Sequence, residues 1–216
     1  MNKTEKLNAL FERWQKKFPE YRGKFKKDGI NNEEMYENQN LKVLFLAKEP
    51  NDPDQNEGDF RKWWSNEVKY AFSHRICEWA FGVLNNFPPL KDLTYDNEER
   101  LKVISSVAFM NLKKIGGQAN ANHDVIAETI SKERHFILEE VSIIEPDIII
   151  GGLGRPEFWH LLFQDISLVD SGYDRKVARH GSYRIIDYYH PSYRVPRAMS
   201  YCLLGNIVKS RVFSDL

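Results

Sequence analysis

Two apolar runs in this chain end at a side chain that can do chemistry, followed at once by proline. Leu41 to Ala47 passes through Lys48 into Glu49-Pro50-Asn51, and Tyr183 to Tyr189 runs into His190-Pro191-Ser192. A third run, Val107 to Asn111, closes on an amide. A carboxylate can steady a positive charge or orient a water, an imidazole can donate to a developing anion, and an amide presents one donor and one acceptor with which to recognise a ligand. Proline lacks an amide proton and fixes its own φ, so it halts a central strand and leaves the preceding side chain at the strand's end. If the runs share one parallel sheet, these groups meet at its carboxyl rim, where open α/β sheets place their ligands.

The elements that would position them follow from periodicity. Leu7, Leu10, Phe11, Trp14 and Phe18 recur at helical spacing and predict an amphipathic helix over residues 4–18, followed by a polar lead-in to residue 40. Strands are expected at 41–46, 107–111, 148–150 and 183–188, separated by helical segments. Helices are expected at 97–104, 124–145, 156–163 and 197–212, and the aromatic-rich stretch from Trp63 to Ala80 reads as helix with loop. Ile148-Ile149-Ile150 is the β-branched run of a strand buried on both faces, and Gly151 to Gly154 is the turn after it. Strands alternating with helices predict one domain over residues 1–216, a three-layer α/β/α fold around a mainly parallel four-stranded sheet, with its core in residues 41–216.

Composition narrows the classes. Hydrophobic residues at 42% exclude a largely disordered chain, and no apolar stretch is long enough to cross a bilayer. The opening residues are not followed by an apolar signal-peptide core, so a cytoplasmic monomer is the expectation. Cys77 and Cys202 lack metal-type spacing and read as two buried thiols. Thirty-one basic residues balance 31 acidic ones, which weighs against strong nonspecific DNA binding but leaves room for a local basic face. Arg175, Lys176, Arg179, Arg184, Arg194 and Arg197 gather late in the chain, as such a face or as an ion-paired surface.

Leu44 to Asn51, Phe109-Met110-Asn111-Leu112 and Tyr189-His190-Pro191-Ser192 resemble, in order and spacing, the motifs of the uracil-DNA glycosylase superfamily. The resemblance spans about residues 41–195 and implies that family's fold, DNA as partner, a base flipped from the strand, and no cofactor. Two cysteines cannot supply the four ligands of the iron-sulfur branches. By the resemblance Glu49 matches the catalytic acid, His190 the histidine that stabilises the departing base, Asn111 the base reader and Asn51 a wall of the base pocket. Phe60 matches the stacking aromatic, with Trp63 and Trp64 expected in the core. Ser192 would hold a phosphate, and Lys48 would pair with Glu49 or contact phosphate. Tyr193 stands where the commonest active forms carry another proline before an apolar wedge, so Tyr193, Arg194 or Val195 would fill that place.

The residue types suit the implied reaction. Cleaving an N-glycosidic bond builds positive charge on the sugar and negative charge on the base, which calls for a carboxylate on one side and donors on the other. The alternative is a noncatalytic nucleic-acid or nucleotide-binding module with the same fold. Gly152-Leu153-Gly154 is a weak dinucleotide signal, because Glu157 occupies the third glycine position. Asp52, Asp54, Glu57 and Asp59 read as a solvated turn rather than a metal site, and no metal is expected.

Overall fold

The computed structural model of the chain describes residues 1–93 and 96–216. The amino-terminal helix α1 (Lys3–Lys17) opens with a reciprocal cap, in which the Asn2 side chain accepts from the Glu5 amide and the Glu5 carboxylate accepts from the Asn2 amide. Its buried stripe of Leu7, Leu10, Phe11 and Trp14 is the expected one. The lead-in is more structured than its polarity suggested: β1 (Lys26–Lys27) and β2 (Gly29–Ile30) precede a one-turn helix α2 (Glu33–Glu37). Then come β3 (Val43–Ala47), β4 (Gly58–Asp59), α3 (Phe60–Trp63), α4 (Ala71–Leu84), α5 (Asn97–Ser105), β5 (Ala108–Asn111) and the long α6 (His123–Ile144). The last third holds β6 (Ile148–Gly151), α7 (Pro156–Leu162), β7 (Val169–Asp170), β8 (Lys176–His180), β9 (Tyr183–Asp187), α8 (Arg197–Val208) and α9 (Arg211–Ser214). The single carboxy-terminal helix expected over 197–212 is divided, because the Ser210 hydroxyl accepts from the Phe213 amide and starts a new turn.

The four expected strands are present and mutually parallel in the order β5-β3-β6-β9. The sheet is not four-stranded, however. It has seven strands in the order β2-β5-β3-β6-β9-β8-β7, and each of the outer three pairs antiparallel with its inner neighbour. β2 and β7 are two residues each, too short for a periodic signal. β8 carries only Val177 and Ala178 between charged residues, and so read as part of a basic cluster. Alternation along the central strands builds two cores. Leu44, Leu46, Ala108, Met110, Ile149 and Ile185 pack on one face with α1, α6 and α7. Val43, Phe45, Phe109, Ile148, Ile150 and Ile186 pack on the other with α4 and α8. Cys77 is buried in this second layer, but Cys202 is exposed, contrary to the expectation: α8 buries Ser200, Tyr201, Leu204, Gly205 and Ile207, and Cys202 lies off that face.

After β3 the chain steps to β5 on one side, and after β6 it steps to β9 on the other. The carboxyl ends of β3 and β6 therefore flank the switch point of the sheet, the position at which a crevice is left open to a ligand.

Candidate functional site

Strand pairing continues past the named ends of β3 and β5. The Leu112 amide donates to the Ala47 carbonyl and the Lys113 amide to the Lys48 carbonyl, each at 2.9 Å. This extension sets Lys113 beside Glu49, and the Lys113 Nζ lies 2.5 Å from Glu49 Oε2 with both side chains largely buried. Glu49 Oε1 has no hydrogen-bond partner among the described residues. A Cβ on Gly117 would sit 2.2 Å from that carboxylate, so only glycine lets the following loop close over it. The ion pair of Glu49 is thus made by Lys113. Lys48 turns its Nζ to the Leu153 carbonyl at 3.4 Å, and burial pulls its pKa down against the opposing pull of Glu49.

Asn111, at the end of β5, is almost fully buried. Its backbone amide donates to Asp28 Oδ2 at 2.8 Å and its Nδ2 donates to the same oxygen at 3.3 Å. A carboxylate accepts only, so Asp28 fixes which end of the amide is the amino group. The carbonyl oxygen and second N–H of Asn111 have no partner among the described residues. Asp28 is itself held by the fully buried Lys114, 2.5 Å from Oδ1, and Lys114 reaches Glu140 Oε2 at 2.7 Å. Burial opposes the Lys114 charge, but the two carboxylates hold its pKa above the ordinary lysine value. Burial, reinforced by Asp28, drives Glu140 well above the carboxylate range despite Lys114. Lys114 is thus bracketed by two buried carboxyl groups, Asp28 on one side and Glu140 on the other.

His190 follows β9 on a loop that Gly152 admits: a Cβ there would meet the His190 Cα at 2.6 Å. That close approach is what the glycine turn after β6 serves. The Ser192 amide donates to His190 Nδ1 at 3.2 Å, which places the proton of the neutral ring on Nε2. Burial, with the Lys48 ammonium nearby, pushes the imidazole down to about 4. His190 at neutral pH is therefore an uncharged Nε2–H donor. The Ser192 amide is occupied by this bond and is not free for a phosphate; only its hydroxyl remains.

These groups share one cavity of about 380 Å³, lined by Ala47, Glu49, Pro50, Asn51, Asn111, His190 and Ser192 on the polar side. Its aromatic wall is Phe60, Trp63, Tyr70, Phe72 and Phe109, with Phe60 5.4 Å from Phe109 and Phe72 5.7 Å from His190 between ring centres. The volume falls within the roughly 300–1,000 Å³ of ligand clefts. Trp64 is buried as expected, its Nε1 donating to Ser73 Oγ at 2.9 Å. Trp63 is not a core residue: it is 44% exposed and borders the cavity. A second cavity of about 540 Å³ adjoins, sharing Glu49, Asn51, His190 and Ser192 and bordered by Lys48, Tyr193, His123 and the amide-rich 118–121 loop. Tyr193 is 59% exposed and stacks on Tyr189 at 5.1 Å, while Arg194 beside it is exposed.

Eight of the nine candidate residues thus line one or other of the two joined cavities; Arg194 lines neither. Sequence reading missed Asp28 and Lys113. Lys113 had a signal, since it follows Asn111 by two residues in extended chain and so points to the same side; Asp28, 83 residues from Asn111, had none. The late basic residues do not form a common face. Lys176 pairs with Asp170, Arg175 lies over the Tyr189 ring and Arg184 over Phe213. In the acidic loop, Asp52 pairs with Lys26 at 2.6 Å and Asp59 with Arg61 at 2.8 Å. Among the described residues no helix is long and apolar enough to cross a membrane. No protein-family model and no curated protein matches this chain in sequence.

Proposed function

We propose that this chain is a DNA glycosylase that hydrolyses the N-glycosidic bond of uracil, or of another modified base flipped from DNA. The observation that carries this reading is the single cavity shared by Glu49, Asn111 and His190 beside Phe60. A flipped base entering it lies against the aromatic wall, with its Watson–Crick edge at Asn111. The uncommitted carbonyl of Asn111 accepts from uracil N3–H and the uncommitted N–H donates to O4. Cytosine presents the reverse pattern, and Asp28 prevents the amide from turning to suit it.

When the bond from C1′ to the base nitrogen breaks, its electron pair leaves with the base. The Nε2–H of His190 stabilises the developing oxyanion, and a neutral donor is matched to that task because no proton need be lost to it. Glu49 faces the cationic sugar and orients water through Oε1, while Lys113 holds Oε2. Water oxygen bonds to C1′, and its proton neutralises the base anion. Lys48, the Ser192 hydroxyl and Arg194 contact the phosphates of the flipped strand, and Tyr193 fills the vacated stack.

The experiment is incubation with single- and double-stranded oligonucleotides carrying uracil or other modified bases, followed by alkaline cleavage of abasic sites. Strand cleavage that is lost in Glu49→Gln upholds the proposal; no abasic site on any substrate removes it. The Glu49–Lys113 ion pair favours a second reading, a nucleic-acid-binding module without turnover, because it engages one of the two carboxylate oxygens. Salt-sensitive binding of the same oligonucleotides with no base release would select it.

A further inference from the structure

The aromatic wall of the base cavity is graded from inside to outside. Phe109, on β5, is 1% exposed, Phe60 and Phe72 are partly buried, and Trp63 and Tyr70 are 44% and 50% exposed. Trp63 closes α3 and Tyr70 immediately precedes α4, so the two rings meet across the connection between these helices, 5.3 Å apart between centres. Trp63 is backed by the buried Trp64, on which it stacks at 5.9 Å, and it meets the edge of Phe60 at 5.1 Å. Tyr70 makes no side-chain cap for α4. The part of each ring left open to water is apolar area that contact with a flat ligand would stabilise. A third exposed ring, Tyr193, borders the adjoining cavity, so exposed aromatic rings stand at both members of the joined pair. Lys48 borders that second cavity and Arg194 follows Tyr193, and neither is in an ion pair among the described residues.

We propose that Trp63 and Tyr70 are a stacking platform for the base next to the flipped nucleotide, and that the partner this rim fits is a single strand of nucleic acid. The inference rests on the nucleic-acid reading above and adds to it the state of the strand. Phe60, Phe72 and Phe109 enclose the flipped base, and the two outer rings offer π faces to its neighbour. A base stacked on such a ring leaves its own helix, which costs pairing in a duplex but not in a strand without a partner. The charge pattern agrees. A duplex is held largely through its phosphates, whereas here 31 basic residues balance 31 acidic ones and the late basic residues do not form a common face. Lys48 and Arg194 offer their charges to the phosphates of the one strand that the rings hold.

Fluorescence anisotropy with labelled, unmodified oligonucleotides tests this without base release. A mixed-sequence single strand is expected to bind at least about tenfold more tightly than its own duplex at equal salt. Trp63→Ala and Tyr70→Ala are each expected to weaken strand binding about five- to hundredfold with the salt slope unchanged, because stacking releases no counterions. Trp63→Phe keeps a π face and should recover most of the loss. Val212→Ala, at a 40% exposed apolar position that lines neither cavity, should bind as the wild type does. If Trp63→Ala does not fold, Tyr70→Ala decides the outcome. Equal or tighter binding of the duplex, wild-type binding in the alanine variants, or an equal loss in Val212→Ala overturns the platform. A protein that binds strands through Trp63 and Tyr70 yet releases no base contradicts only the glycosylase reading. Base release together with wild-type strand binding in both alanine variants contradicts only the platform, and a protein that binds no oligonucleotide removes both.

Discussion

At the scale of the residue, His190 combines two constraints that point the same way: the Ser192 amide occupies Nδ1, and burial beside Lys48 keeps the ring uncharged. The unfolded chain takes up this proton near pH 6.5 and the folded protein only near 4, so between those values the unfolded state holds more protons. His190 therefore contributes a pH dependence in which stability is complete above about 6.5 and falls by on the order of 3 kcal/mol as pH drops to about 4. Urea unfolding across this range should show a smaller loss in His190→Gln than in the wild type; equal losses would mean that the ring is solvated. Asp28 acts at one remove, as the residue that orients Asn111. Asp28→Asn can donate as well as accept, which frees the Asn111 amide to turn. The preference for uracil over cytosine is then expected to fall about ten- to hundredfold in competition assays, whereas an unchanged ratio would show that Asp28 does not set the amide. Glu49, Asn111 and His190 were legible because each ends an apolar run. Asp28 and Lys113 act through space, and Trp63 misled because an aromatic near a helix start looks the same in sequence whether it faces the core or a cavity.

At the scale of the element, the site depends on close approaches as much as on side chains. The β6 turn carries Gly152 so that the His190 loop can lie against it, and Gly117 lets the loop after β5 cover Glu49. Gly152→Ala must displace the His190 backbone, which costs about 1–3 kcal/mol and moves the donor. It should reduce activity far more than substrate affinity; a variant with wild-type rates would mean that the loop position is not critical. The four parallel strands and their flanking helices were readable from short, mainly apolar runs and helical periodicity. The outer strands were not, although Gly181-Ser182 between β8 and β9 is a two-residue hairpin turn, with His180 opposite Tyr183 and Gly181 at φ +59°. The charges of β8 obscured that signal.

At the scale of the whole molecule, formal neutrality is compatible with nucleic-acid binding because charge is distributed unevenly. Lys48 stands at the second cavity, Arg194 is exposed beside Tyr193, and Arg75, Arg100 and Arg197 line a separate cavity. Glu49, Asn111 and His190 follow or end β3, β5 and β9 and line one cavity beside the β3–β6 switch point, the rim the proposed chemistry would use. The layered α/β architecture was legible in the sequence, but the meeting of Arg75, Arg100 and Arg197 in one cavity was not, since it joins residues from α4, α5 and α8. The most direct measurement is single-turnover release of labelled uracil from an oligonucleotide by the wild type, Glu49→Gln and His190→Gln. Release by the wild type and a loss of at least about a hundredfold in each variant is the expected result. Absence of release, or release at wild-type rates in both variants, would contradict the assignment of Glu49 and His190 to opposite ends of a breaking glycosidic bond.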